Sequence, residues 1–290
     1  MNLWKSNSLT DLKSFFIHFI SDVYDTLEAE ALFFLTASHF FGWDRKFYLL
    51  NPHKTLSESE LLKIHFTAKR LKKNEPIQYI LGETEFYGLT FKVNKHTLIP
   101  RPETEELVQW VIEDNKLTPT ETILDIGTGS GCIAVALAKN LKCKVNAFDI
   151  SENALSVARQ NATLNEVKVE FKCVDILINT LPGKFDVIVS NPPYVAKSEA
   201  KTLKPYVLNE PLNALFPEDE DDLIFYKKIL DYSIISKARV VYFEINQYRK
   251  DALENYLISN NFSNFEFRRD ISNNWRMLKV NFALVTKVII

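Results

Sequence analysis

The 290-residue chain contains only three cysteines, Cys132, Cys143 and Cys173. They lack the C-x-x-C spacing that holds structural zinc, and they lie within apolar stretches. An odd number of cysteines without a pairing pattern is typical of reduced thiols in a cytoplasmic protein. We therefore predict no metal site, and we expect a cytoplasmic location.

The chain also lacks an excess of basic residues and any long apolar run. Its 35 Lys and Arg against 37 Asp and Glu give a net charge of -2, which argues against a surface built throughout to grip nucleic acid. The densest apolar stretch, residues 31–41, is interrupted by Thr36, Ser38 and His39 and is too short to span a membrane. The first residues show no signal-peptide pattern. We expect no membrane partner and no direct nucleic-acid substrate.

Glycine is scarce, and its distribution is uneven. Only seven glycines occur in the chain, and three of them are Gly127, Gly129 and Gly131. Glycine permits tight turns and lets a ligand approach the backbone closely. This concentration is the first indication of a binding site.

Residues 1–75 have the pattern of a small helical bundle. Ser8 with Asp11, and Ser57 with Glu60, have the spacing of capping boxes, and apolar residues follow each pair at helical intervals. No strand pattern interrupts this region.

Residues 76–98 form the expected linker between two domains. Within it, the stretch 83–93 alternates polar and apolar residues around Gly88, as two short strands joined by a tight turn would. The second domain is expected over residues 99–290.

The second domain has the pattern of an α/β fold. From Thr122 onward strands and helices alternate, which implies a mostly parallel sheet with helices on both faces. Strands are expected at 122–126, 144–149, 167–173, 185–190 and 239–245, with further alternating runs at 264–269 and 276–284. Helices are expected at 132–140, 152–165, 223–236 and 248–260.

The first strand of this domain ends in a glycine-rich turn that opens a helix. The turn consists of Gly127, Thr128, Gly129, Ser130 and Gly131. Ligands of open α/β sheets lie at the carboxyl ends of such strands. A dinucleotide fingerprint would need a glycine in the sixth place, where Cys132 stands. The G-x-G-x-G form resembles instead the first motif of class I methyltransferases, which have a Rossmann-like fold and use S-adenosylmethionine. The alternative is a glycine-rich turn without a ligand.

Two acidic residues follow the next two strands. Asp149 ends the strand at 144–149, where a carboxylate can accept hydrogen bonds from both ribose hydroxyls of a nucleoside. It could instead cap the helix that begins near Ser151. Asp175 is placed to accept from an adenine amino group, and Ile176 could pack on the adenine ring. The alternative for Asp175 is an ordinary loop aspartate.

The tetrad Asn191, Pro192, Pro193 and Tyr194 follows directly on the strand at 185–190. Its position after the glycine loop resembles that in amino-methyltransferases acting on adenine, cytosine or glutamine, where the acceptor is an sp² nitrogen. The Asn191 oxygen and the Pro192 carbonyl can accept the two N–H groups of that nitrogen and so orient its lone pair. The prolines stiffen the loop, and Tyr194 offers a face for stacking. The alternative is a proline-rich turn.

Three further segments resemble those of the release factor glutamine methyltransferases, the PrmC/HemK family. They are E-P-I-Q-Y-I-L-G at 75–82, L-I-P-R-P-E-T-E at 98–105 and E-P-L-N-A-L at 210–215. The resemblance covers most of the chain beyond about residue 75. It implies that S-adenosylmethionine methylates the side-chain nitrogen of the glutamine in the Gly-Gly-Gln tripeptide of class 1 peptide chain release factors, with the helical bundle docking the substrate.

The resemblance also implies roles for individual residues. Residues 127–131, Asp149, Asp175, Ile176 and Asn191 would contact the cofactor, and Asn191 to Tyr194 would hold the substrate glutamine. Arg101, Glu103 and Thr104 would close over the site. The alternative for these three is a helix N-terminus with Pro102 in its first turn.

Two other functions stay open at this point. An adenine-N6 methyltransferase on DNA or RNA shares the tetrad, but it would usually need a broad basic face. The candidate for such a face is the run Lys63, Lys69, Arg70, Lys72 and Lys73. A non-enzymatic module that retains the fold would have no need of the intact glycine loop and tetrad.

Overall fold

The computed structural model describes residues 6–178, 183–217, 219 and 221–282. The chain divides into two compact units. The first comprises Met1–Gly82 and Lys204–Asn209, and the second comprises Glu83–Leu203 and Glu210–Ile290.

The first unit is helical. Its helices are α1 (Leu9–Phe19), α2 (Thr26–Phe41), α3 (Arg45–Leu50), α4 (Glu58–Leu71) and α5 (Ile77–Leu81). Ser57 and Glu60 form the expected capping box at the start of α4. Ser8 caps α1 by accepting from the Asp11 backbone N–H, but its own backbone N–H donates to Ser6, so the pair forms only half of a capping box.

Aromatic and aliphatic side chains from α1, α2 and α4 form the core of the first unit. Phe16 and Phe33 are buried and pack edge to face, and Ile64 and Leu71 are fully buried beside them. Edge-to-face geometry is a preferred arrangement of aromatic pairs. These aromatic side chains therefore serve core packing.

The first unit extends beyond the expected boundary at residue 75. Ile77 and Ile80 of α5 are buried in its core, and Tyr206 packs against the same core. The Asn209 Nδ2 donates to the Asn74 carbonyl at 2.7 Å. The sequence pattern gave no sign of this distant segment, because its contacts join residues 135 positions apart.

The second unit contains two sheets and six α-helices among the residues that the structure describes. Its strands are β1 (Glu83–Phe86), β2 (Leu89–Lys92), β3 (Thr122–Ile126), β4 (Lys144–Asp149), β5 (Val169–Cys173), β6 (Val187–Ser190), β7 (Val240–Glu244), β8 (Phe265–Arg269) and β9 (Trp275–Asn281). Its helices are α6 (Pro102–Asp114), α7 (Cys132–Asn140), α8 (Glu152–Leu164), α9 (Leu212–Leu215), α10 (Ile224–Ser236) and α11 (Lys250–Ser259).

The large sheet has seven strands in the order β5-β4-β3-β6-β7-β9-β8. The strands from β5 to β7 are parallel, whereas β9 is antiparallel to both β7 and β8. Side chains alternate between the two faces: Ile123 packs in the core beneath α6 and α7, and Leu124 packs in the core beneath α10 and α11. This confirms the expected Rossmann-like α/β fold, and the helical first unit confirms the expected N-terminal helical region.

The β1–β2 hairpin is confirmed, and it belongs to the second unit rather than to a separate linker. Tyr87 and Gly88 occupy its turn, both with positive φ, as the tight turns of hairpins require.

Several elements are shorter than expected, because residues at their predicted ends belong to neighbouring turns. Val167 donates to the Ala162 carbonyl in the turn that ends α8, so β5 begins at Val169. Residues 247–249 form a 3₁₀ turn capped by Asn246, so α11 begins at Lys250. The expected run 276–284 extends past residue 282, and its last two residues lie outside the described residues.

Candidate active site

A cavity opens at the carboxyl ends of β3, β4 and β6, beside the loop that follows β5. Parallel strands bring their carboxyl ends to one edge of a sheet, so residues far apart in sequence meet there. Cavity-lining residues that sequence reasoning had marked are Gly127, Gly129, Asp149, Asp175, Ile176, Asn191, Pro192 and Pro193.

The glycine loop folds under the end of β4. The backbone N–H groups of Gly127 and Thr128 both donate to the Phe148 carbonyl, at 2.8 and 3.0 Å. Gly127 and Gly129 reach the cavity wall, whereas Thr128 and Ser130 are buried behind it. Gly131 precedes α7 with φ of +82°, and a Cβ there would lie 3.0 Å from the Ala158 Cβ. Glycine alone adopts this positive φ without strain and also leaves room for Ala158.

Asp149 joins the glycine loop to the start of α8. Its Oδ2 accepts from the Gly129 backbone N–H at 2.8 Å, and its Oδ1 accepts from the Ser151 N–H at 2.9 Å. Burial raises the pKa of this carboxyl, and the backbone donors oppose that shift. The N-cap of α8 is Ser151, so the interpretation of Asp149 as that cap is wrong.

The loop after β5 forms another part of the wall. Asp175 and Ile176 both line the cavity, and the Asp175 Oδ1 accepts from the Leu177 N–H at 2.8 Å. This bond orders the short turn that presents both side chains.

The tetrad divides between the cavity wall and the protein interior. Asn191, Pro192 and Pro193 line the cavity, but the Tyr194 side chain lies outside its wall. The Tyr194 hydroxyl donates to Glu244 Oε1 at 2.8 Å, and burial raises its pKa well above the ordinary tyrosine value. The Tyr194 carbonyl accepts from Asn246 Nδ2 at 3.1 Å, which anchors the end of the tetrad.

The structure brings Thr104 and Asn191 together. The Asn191 Nδ2 donates to Thr104 Oγ1 at 3.3 Å, and Thr104 Oγ1 donates to Glu244 Oε2 at 2.6 Å. Glu244 ends β7 and is only 1% exposed. Burial raises its pKa, while the Thr104 and Tyr194 donors and the charge of Arg276 act in the opposite direction.

Arg101 lies in a different set of contacts from Thr104. It pairs with the buried Glu210 at 2.5 Å, and Glu210 also accepts from the Ile99 backbone N–H at 2.9 Å. The residues that follow Glu210, among them Pro211 and Phe216, line the cavity. Glu103 does not line the cavity, but its charge adds to the causes that raise the pKa of Glu244.

Sequence reasoning missed Glu244, Asn246 and Asp125 as parts of this site. Asp125 is fully buried below the glycine loop, where its Oδ2 accepts from Thr128 Oγ1 at 2.6 Å and from the Ala134 N–H at 3.2 Å. Burial raises its pKa to about 7. The sequence did carry a signal for the two carboxyls. Asp125 lies within a largely apolar strand, β3, and Glu244 ends another, β7.

These contacts can hold a nucleoside cofactor such as S-adenosylmethionine. The Ala134 N–H of α7 donates to a buried carboxyl, so it is not free for a pyrophosphate. The carboxyl of Asp149 stands at the strand end where ribose hydroxyls are held. Ile176 and Phe148 supply apolar wall for a base.

Two further properties concern metals and membranes. Within residues 6–178, 183–217, 219 and 221–282, no group of three His, Cys, Asp or Glu side chains could hold a metal ion. No helix in the described part of the chain is both long and apolar enough to cross a membrane.

Comparison with known proteins is consistent with this geometry. The family model for the methyltransferase small domain matches residues 104–232, and that for the PrmC N-terminal domain matches residues 19–82. The release factor glutamine methyltransferase of Flavobacterium psychrophilum is 46% identical over 275 residues, covering 92% of this chain and 96% of the relative. That of Bacteroides thetaiotaomicron is 39% identical over 268 residues, covering 90% and 96%.

Solved structures share the fold at low identity. The human methyltransferase 10 domain containing protein matches with a TM-score of 0.52 and 17% identity, over 76% of this chain and 96% of that one. This similarity supports the fold alone.

Proposed function

This chain belongs to the release factor glutamine methyltransferases, and from that membership and its site we propose how it works. It transfers a methyl group from S-adenosylmethionine to the side-chain amide nitrogen of a release factor glutamine. Our finer proposal is that this is the glutamine of the Gly-Gly-Gln tripeptide in class 1 factors. The observation that carries the proposal is the placement of Asn191 in one cavity wall with the glycine loop and Asp149.

The cofactor supplies an electrophilic methyl group on a sulfonium. Asp149 is proposed to accept from the ribose hydroxyls, and Asp175 from the adenine amino group, with Ile176 against the adenine ring. The glycine loop lets the nucleoside approach the backbone. Arg101, through its ion pair with Glu210, is proposed to hold the wall formed by the segment after Glu210.

The acceptor nitrogen is a primary amide, whose lone pair is delocalised into its carbonyl. Asn191 Oδ1 and the Pro192 carbonyl are proposed to accept its two N–H groups, so that the lone pair turns towards the methyl group. Both acceptors also stabilise positive charge as it develops on the nitrogen. Because that nitrogen becomes strongly acidic once methylated, its proton can leave to water without a dedicated base.

The helical unit is proposed to dock the body of the release factor. Support comes from the match to the PrmC N-terminal domain and from one face of α4, where Leu62 and Phe66 are 41% and 55% exposed beside the exposed Lys69. The exposed Lys73 follows just after the helix. A single glutamine side chain on an exposed loop offers the enzyme few contacts. A second surface, on the helical unit, would supply the rest of the affinity for the release factor. Translation factors act in the cytoplasm, where we propose that this enzyme acts.

The relatives do not favour the adenine alternative. Two members of the basic run are also engaged in ion pairs and are therefore less available to bind nucleic acid. Arg70 pairs with Glu75 at 2.5 Å, and Lys72 pairs with Asp22 at 3.0 Å.

Transfer of label from methyl-labelled S-adenosylmethionine tests the proposed substrate. We expect label in release factor, and none in a factor whose tripeptide glutamine is changed to alanine or in adenine-containing DNA. Efficient labelling of the DNA without labelling of the factor would contradict the proposal.

Docking is tested separately with Phe66→Ser combined with Lys69→Glu. We expect a KM for release factor raised about tenfold, the effect of losing roughly 1.4 kcal/mol of contact, with unchanged affinity for S-adenosylmethionine. The matched control combines Leu49→Ser with Lys46→Glu, which likewise changes one apolar and one basic residue at exposed positions, here on α3. Equal KM values for both double variants would show that this face of α4 does not dock the factor.

A further inference from the structure

The side-chain amide of Asn191 has two ends of similar shape and opposite chemistry. Its Oδ1 accepts hydrogen bonds, and its Nδ2 donates them. Only the Oδ1 end can accept an N–H of a substrate amide, because the Nδ2 end would oppose donor to donor. The orientation of this one side chain therefore decides whether the site can hold its substrate productively.

Thr104 determines that orientation. A threonine hydroxyl has one proton to donate, and Thr104 donates it to Glu244 Oε2 at 2.6 Å. Towards Asn191, Thr104 Oγ1 can then only accept. It does so from Nδ2 at 3.3 Å, which leaves the Oδ1 end directed elsewhere.

Glu244 in turn sets the direction of the Thr104 hydroxyl. An ionised carboxylate has no proton to donate, so both hydroxyls that reach it must act as donors. Its Oε2 accepts from Thr104 and its Oε1 from Tyr194 at 2.8 Å. One side chain, buried at the end of β7, thus contacts the tetrad directly at its last residue and indirectly at its first.

We propose that Glu244 is a positioning residue for methyl transfer, which acts through Thr104 to hold Asn191 with its carbonyl towards the substrate amide. The inference rests on the proposed function of this site. It adds a chain of hydrogen bonds from Glu244 through Thr104 to Asn191, which we call the relay. Neither Glu244 nor Thr104 lines the cavity, so both are placed to act through Asn191, which does.

The relay predicts a specific pattern among Thr104 variants. Thr104→Val keeps the shape but removes the hydroxyl, so Asn191 can turn freely, and kcat should fall about tenfold to a hundredfold. Thr104→Ser restores a hydroxyl and should recover most of that loss. The dissociation constant for S-adenosylmethionine and the KM for release factor should stay within about twofold in both.

A double-mutant cycle separates the relay from a purely structural role. In the background of Asn191→Ala there is no amide left to orient, so Thr104→Val should cause little further loss of kcat. Glu244→Gln should lower kcat, because Thr104 and Tyr194 donate to different oxygens of the carboxylate, and glutamine replaces one of those acceptors with an N–H donor. Asp114→Asn is the matched control, since it changes another carboxylate that accepts from a tyrosine, Tyr242, at 3.0 Å outside the cavity wall. It should leave kcat unchanged.

The wild-type enzyme is assayed first on release factor. If it binds S-adenosylmethionine but does not methylate the factor, the proposed function fails independently of the relay. With wild-type turnover in hand, additive losses from Thr104→Val and Asn191→Ala would overturn the relay. Equal losses from Thr104→Val and Thr104→Ser, each in a folded enzyme, would overturn it as well.

Discussion

The affinity for S-adenosylmethionine should depend strongly on Asp149. We choose Asp149→Asn, which keeps the size of the side chain but replaces one carboxylate oxygen with a donor. In the structure the two oxygens accept from the Gly129 and Ser151 backbone N–H groups at 2.8 and 2.9 Å. The same oxygens are proposed to accept from ribose, so the variant disturbs both the loop and the nucleoside.

The magnitude follows from the loss of a charged acceptor. A hydrogen bond to a charged group contributes roughly 1.5–3 kcal/mol, and about 1.4 kcal/mol corresponds to a tenfold change in affinity. Loss of one such bond therefore predicts a dissociation constant raised about 10- to 150-fold. Calorimetry on the purified enzyme measures this directly.

A matched control removes the same charge elsewhere on the sheet. Asp186 accepts from the backbone N–H and the hydroxyl of Thr122, at 2.8 and 3.0 Å, before β6 begins and hence at the opposite end of the strand from the tetrad. Asp186→Asn should leave the dissociation constant within about twofold of the wild-type value. If Asp149→Asn binds S-adenosylmethionine as tightly as the wild type, the ribose assignment is wrong.

Three further predictions concern the tetrad and the glycine loop. Asn191→Ala should lower kcat about 10²- to 10³-fold while calorimetry shows nearly unchanged cofactor affinity; a loss confined to cofactor affinity would contradict this. Burial raises the pKa of Asp125 to about 7, above the roughly 3.9 of an unfolded aspartate, so the stability it contributes in acid is lost as the pH rises through 7. Asp125→Asn should accordingly raise the melting temperature relative to wild type more at pH 8 than at pH 4, and an equal change at both would refute it. Gly131→Ala should lower the melting temperature more than Gly42→Ala, because both have positive φ but only the first places a Cβ 3.0 Å from Ala158; equal effects would exclude a role for the close approach.

The sequence predicted those features that depend on local pattern. β3 and β4 have the expected bounds, because an apolar strand and the turn after it are encoded by neighbouring residues. For the same reason Gly127, Asp149 and Asn191 were recognised as strand-end residues, and the fold then brought them to one cavity.

The contacts that orient the tetrad could not be read from local pattern. Glu244 and Thr104 are 140 positions apart in sequence, and Asn191 and Thr104 are 87 positions apart, yet each pair forms a hydrogen bond. These contacts depend on the strand order, in which β7 lies beside β6. A carboxylate at the end of a buried strand was visible, but its two partners were not.

The assignment of Tyr194 shows the same limit. Its ring was expected to stack on the acceptor because the tetrad alone suggested a flat surface. In the structure its hydroxyl is committed to Glu244 and its side chain lies outside the cavity wall. Stacking on the substrate stays a prediction.

The central claim is that this site methylates the side-chain amide of one release factor glutamine. Incubation of enzyme, S-adenosylmethionine and intact release factor, followed by peptide mapping with fragmentation mass spectrometry, tests it most directly. We predict a mass increase of one methyl group, about 14 Da, confined to the side chain of the glutamine in the Gly-Gly-Gln tripeptide, which Asn191 and Pro192 are proposed to orient. A methyl group on any other residue, or on the backbone of that glutamine, would contradict the account.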